Sequence, residues 1–125
     1  ESKGVYVKWA GEISGQEFLG SVLAVNQASD FDAYHYVIND MVGCAGVDLQ
    51  PDIADKALAA AIGAHESNPK FVAAFVAEKG EVFDTWAEVA KVADDYLKTA
   101  VFSDLEDARR WVESTPRKRN TPTRW

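Results

Sequence analysis

One cysteine, Cys44, stands among 125 residues. It excludes an internal disulfide and leaves too little thiol for a zinc knuckle or an iron–sulfur centre. Histidine is nearly as scarce. His35 and His65 are the only two, and neither has a second histidine or a cysteine at ligand spacing. A metal site would have to be assembled from distant carboxylates, so no metal and no cofactor is expected. Long apolar runs are missing too: no stretch approaches the roughly 20 residues of a membrane span. Glu1-Ser2-Lys3-Gly4 has neither the basic start nor the apolar core of a signal peptide, so a cytoplasmic location is expected. The chain opens without Met, which leaves a removed leader open.

Basic residues are in deficit, 13 against 20 acidic, for a formal charge of −7. That argues against a domain built as a whole to lie on nucleic acid or an anionic membrane. The deficit is local. Residues 1–113 carry all the acids and a net −11, whereas 114–125 carry Arg117, Lys118, Arg119 and Arg124 without an acid. Pro116 and Pro122 interrupt that last stretch, so an acidic folded domain over 1–113 and a basic, mostly irregular tail over 114–125 are expected. The length suits one domain.

Within 1–113, apolar patterning alternates between two periods. Val5, Val7 and Trp9 alternate with Tyr6, Lys8 and Ala10, a strand with two unlike faces. Ser14 and Glu17 form a capping box ahead of Phe18, Leu19, Val22, Leu23 and Val25, a helix ending near Ser29. Tyr34 to Met41 predicts a short buried strand centred on Tyr36-Val37-Ile38, followed by a loop loosened by Gly43 and Gly46. Pro51 fits the first position of a second helix, whose Ala57, Leu58, Ala60, Ala61 and Ile62 make a small-residue face for close packing on a sheet. Asn68-Pro69 ends it. Phe71 to Val76 predicts a strand buried on both faces. A third helix follows through Val82, Phe83, Trp86, Val89, Ala90 and Ala93, then a short strand over Thr99 to Phe102. Ser103 and Glu106 predict a second capping box before a last helix with Leu105, Ala108, Trp111 and Val112 inward.

The order β-α-β-α-β-α-β-α predicts an α/β fold with right-handed crossovers and a mostly parallel sheet of four to five strands covered by helices. The more polar first strand is the candidate for an exposed or antiparallel position.

Four segments carry a resemblance. They are Gly11-Glu12-Ile13-Ser14, the strand Tyr36-Val37-Ile38-Asn39-Asp40, the strand Phe71-Val72-Ala73-Ala74-Phe75-Val76, and the closing segment from Val101 to Val112. Together they resemble the STAS superfamily, in particular its SpoIIAA-like branch of small bacterial proteins, over roughly residues 5–113. The resemblance implies a binding or regulatory domain that acts through a protein partner or a small ligand. Anti-sigma antagonists of this class present a phosphorylatable Ser or Thr where the second helix begins. Here Asp40 to Pro51 contains neither, so the resemblance implies fold and binding but not a kinase-operated switch.

Candidate chemistry is sparse. No phosphate loop or dinucleotide fingerprint is present, and Gly43 and Gly46 lack a following lysine. Cys44, a few residues before a helix start, pairs with His35 in the one catalytic arrangement on offer, a cysteine-dependent enzyme; the plain alternative is a small buried thiol. The carboxylate pairs Asp30 with Asp32, Asp52 with Asp55, Asp94 with Asp95 and Asp104 with Asp107 suit turns and helix starts. A ligand site in an open α/β sheet belongs beyond the C-terminal strand ends. The candidates there are Asn39, Asp40, Cys44, Lys79 and Ser103, with Asn39 and Asp40 expected to face a pocket together. Three functions stay in play: a non-enzymatic STAS-like binding domain, the Cys44/His35 enzyme, and an adaptor contacting nucleic acid or an acidic partner through the basic tail. A homodimer through an edge strand or an exposed helix face, anchored by Trp111 or the aromatic third helix, fits the first.

Overall fold

The computed structural model describes residues 3–114. The chain order is β1 (Gly4–Ser14), α1 (Gly15–Asn26), a 3-10 turn (Phe31–Ala33), β2 (Tyr36–Asp48), α2 (Pro51–Ser67), β3 (Val72–Val76), α3 (Glu81–Ala93), β4 (Thr99–Phe102) and α4 (Leu105–Ser114). The four strands form one sheet in the order β1-β2-β3-β4, every pair parallel. The expected alternation and parallel sheet are therefore present, with four strands. The first strand does take an edge, but it is parallel to β2 and not antiparallel.

Strand order explains where the helices go. When successive parallel strands step in one direction, right-handed crossovers put every connecting helix on the same face. Accordingly α1, α2 and α3 bury Phe18, Ala61, Ala64 and Trp86 against the face that carries Val37, Ala73 and Phe75. The last helix follows no further strand and is free to take the other face. There Ala108 and Val112 pack on Tyr36, Ile38, Val72, Ala74 and Val76. Every residue of β3 is buried because helices cover it from both sides, as its unbroken apolar run requires.

The local signals hold at most boundaries. Ser14 accepts from the Glu17 amide at 3.0 Å and the Glu17 carboxylate accepts from the Ser14 amide at 2.9 Å, a closed capping box. Pro51 is the first residue of α2. Asn68 ends that helix and does more than terminate it. Buried, it donates through Nδ2 to the carbonyls of Phe31 and Tyr34, both at 2.9 Å, and ties the 3-10 turn to α2.

Three boundaries differ from expectation. Helix α1 stops at Asn26, three residues before Ser29, with Gln27 as its C-cap. Before α4 the Asp104 carboxylate accepts from the Glu106 amide at 2.9 Å, so Asp104 fills the capping position expected for Ser103, which stands one residue too early and is exposed. The largest difference is β2. It does not stop near Met41 but runs to Asp48 through Gly43 and Gly46, because β1 continues beside it from Ala10 to Ser14. Two register shifts, between Lys8 and Ala10 and between Gly11 and Glu12, interrupt the ladder of this two-strand extension, as β-bulges do. Gly11 has φ +72°, a left-handed conformation that glycine adopts without strain. Gly15 is needed for space: a Cβ there would lie 2.6 Å from the Asp48 carbonyl oxygen, where β1 passes into α1.

Among the described residues no helix is long and apolar enough to cross a membrane. Apart from Ser114, the expected basic tail lies outside the described residues.

Candidate functional site: a cavity between the helices and the sheet

The three helices on the first face do not close over it. Helices α1 and α2 pack side by side, and α3 sits over β2 and β4. Between them lies a cavity of about 330 Å³. Its floor is the sheet, through Val37, Asn39, Ala73, Phe75 and Thr99, and its walls come from all three helices. The reason for the space is legible on α2. Ala54, Ala57, Ala61 and Ala64 recur every three or four residues and line the cavity with one row of methyl groups, from the exposed Ala54 to the buried Ala61 and Ala64. The small-residue face was expected to let the helix pack closely; instead the alanines wall an open volume, with Ala73 opposite them on β3.

The lining is almost wholly apolar. Its mouth is marked by Val92, 54% exposed, and by the exposed carboxylates of Asp55 and Glu88. Among the described residues no lysine, arginine or histidine lines it. For scale, an engineered apolar cavity of about 150 Å³ holds benzene, and pockets for small molecules start at about 300 Å³.

The predicted site residues are dispersed. Asn39 is on the cavity floor, buried to 5% exposure, with its Oδ1 accepting from Trp9 Nε1 at 3.1 Å. Asp40, the next residue, points to the opposite face, because successive residues of a strand alternate sides. The two were expected to share a pocket and do not. Asp40 is buried on the α4 side, where Tyr6 donates to it at 2.5 Å, the Val42 amide donates at 3.1 Å and Lys8 Nζ stands 3.5 Å away. Burial pushes its carboxyl pKa up, but the Tyr6 and Val42 hydrogen bonds and the Lys8 charge outweigh it and leave the group below its ordinary value. It is a structural ion that anchors the edge strand β1 to β2.

Cys44 and His35 do not meet. His35 precedes β2 and Cys44 lies near its far end, so nine residues of extended chain put them roughly 30 Å apart at about 3.3 Å per residue. Cys44 is inside a strand and not at a helix start, and its thiol donates to the Gly46 carbonyl at 3.2 Å. Burial, together with the nearby Glu12 carboxylate, pushes the thiol pKa up, the reverse of what a nucleophile needs. Lys79 and Ser103 are exposed at the C-terminal ends of β3 and β4; Lys79 lies over the Phe83 ring at 5.5 Å. Of the predicted site residues Asn39 alone lines the cavity. Among the described residues no three His, Cys, Asp or Glu side chains converge to hold a metal ion.

Of the expected dimer anchors, Trp111 is half-buried and Trp86 is part of the core. Trp111 packs on Phe102 with ring centroids 5.7 Å apart, and Trp86 is fully buried, stacked on Phe75 at 4.5 Å. No protein family, curated protein or solved structure matches the chain.

Proposed function

We propose that the protein is a non-enzymatic, STAS-like binding domain whose ligand is a small apolar molecule held between α1, α2, α3 and the sheet. The single observation that carries this reading is the 330 Å³ cavity walled by the α2 alanines. A void lined by apolar groups gains nothing from water, which needs two to four polar partners to be held. A molecule that fills such a space gains about 25 cal/mol for each Å² of apolar surface it withdraws from water. The position of the cavity, against the face of the sheet and not beyond its strand ends, also separates it from Cys44 and His35, neither of which lines it. The separation of Cys44 from His35 counts against the cysteine-enzyme reading.

Fluorescence titration with Nile red, a neutral apolar dye, tests the proposal. Saturable enhancement is expected in the wild-type protein and strong loss of it in Ala61→Leu, whose added side chain occupies the cavity. Equal enhancement in both would overturn the reading.

A further inference from the structure

The cavity floor holds one polar group that the fold leaves unused. Asn39 is 5% exposed, on the central strand β2, surrounded by Val37, Ala73 and Phe75. Its orientation is determined by Trp9. An indole nitrogen is a donor only, so the Asn39 atom 3.1 Å from Trp9 Nε1 must be the carbonyl oxygen. The carboxamide nitrogen is then turned away from Trp9, and it has no hydrogen-bond partner among the described residues although Asn39 lines the cavity. The nitrogen is open to the cavity, so a ligand oxygen there can accept the hydrogen bond that the protein does not.

Of the other uncharged polar groups of the lining, Ser21 is on the half-exposed helix α1 wall and not on the buried floor, and the remaining two have partners. Thr99 spends its hydroxyl hydrogen on the Leu97 carbonyl, and Asn26 donates its amide to the Ala60 carbonyl at 3.1 Å. The two charged groups at the mouth, Asp55 and Glu88, are both negative, and among the described residues no cation lines the space. An anionic ligand would therefore meet repulsion at the entrance and no compensation inside. Resting on the reading of the cavity as a ligand site, we infer that its ligand is a neutral, largely apolar molecule with one carbonyl or hydroxyl oxygen that accepts a hydrogen bond from Asn39 Nδ2. Apolar surface supplies affinity, and Asn39 supplies selection for an oxygen at one place.

Three naphthalenes of similar shape separate the parts of this claim: 2-acetylnaphthalene, 2-ethylnaphthalene and 2-naphthoate, titrated by calorimetry into wild type and Asn39→Leu. The variant should bind 2-acetylnaphthalene about tenfold more weakly than wild type and 2-ethylnaphthalene at least as well, a tenfold change being about 1.4 kcal/mol. 2-Naphthoate should bind wild type more weakly than the ketone. Equal losses for ketone and hydrocarbon, or a naphthoate that binds as tightly as the ketone, would overturn the inference while leaving the cavity reading standing. A wild-type protein that takes up none of the three would overturn the cavity reading itself. Because Asn39→Leu also deprives Trp9 of its acceptor, the bound ketone's carbonyl stretch in wild type gives an independent readout. It should fall below its value in hexane, and an unshifted stretch would overturn the inference.

Discussion

Asp40 shows how a single residue in this fold trades burial against partners. Its carboxylate is held ionised by Tyr6, the Val42 amide and Lys8, so its folded pKa lies below the unfolded value of about 3.9. The stabilisation is complete above that value and is lost as pH falls through the folded pKa. Tyr6→Phe removes the strongest of the lowering contacts. It should raise the Asp40 pKa, move acid unfolding to higher pH and cost about 1 kcal/mol at neutral pH. A carboxyl carbon titration by NMR checks this, and an unchanged Asp40 curve would remove Tyr6 from the account. Cys44 makes the opposite case. Its thiol is raised by burial and by Glu12, so its alkylation should be slower than that of a free cysteine at pH 7 and accelerate only at higher pH. Trp86 carries a buried indole N–H without a hydrogen-bond partner among the described residues. Its rings account for most of its value. Trp86→Phe should cost below about 1 kcal/mol in urea unfolding, because it deletes the orphan donor along with some area, whereas Trp86→Ala should cost about 3–5 kcal/mol.

Among the elements, α2 and β2 departed most from expectation, each for a physical reason. The alanine row of α2 was visible as a pattern, but a pattern of small residues is equally compatible with close approach and with a void. The choice depends on how far α3 stands from α2, which no local signal records. Stability distinguishes the two. Ala61→Leu adds three carbons; if they enter a void they contribute up to about 2 kcal/mol, and if they enter a packed core they cost about 1–3 kcal/mol. The structure predicts a stabilised variant in urea unfolding. Gly43 and Gly46 are turn-forming in isolation and predict that β2 ends near Met41. They remain in a strand because β1 supplies a partner through Ala10 to Ser14, a pairing set by tertiary structure. By contrast β3 was legible throughout, since a run of apolar residues bounded by Asn68-Pro69 and Lys79-Gly80 has no alternative to burial. The capping box at Ser14 and the proline at the start of α2 are equally local, and both hold.

At the scale of the molecule, the order of elements and their parallel pairing were legible from the alternation of periods and the handedness of crossovers. The site was legible only in part. Asn39 stood out as a polar residue in an apolar strand, yet its pairing with Asp40 ignored the alternation of strand faces, which places Asn39 with Val37 and Asp40 with Ile38. The same alternation was the available signal that the two serve different faces. Cys44 and His35 are close in sequence, but β2 runs on through Cys44 and holds the two apart. What results is a molecule with two unlike sides: one closed by α4 and braced by Tyr6 and Asp40, the other held open by alanines over an uncommitted amide. The most direct test of that asymmetry is a methyl NMR titration of the wild-type protein with 2-acetylnaphthalene. The account predicts shifts and intermolecular contacts at the methyls of Ala61, Ala73, Val92 and Leu97, with those of Ala74, Val76, Ala108 and Val112 unmoved. Shifts on the α4 face, or none on either, would contradict it.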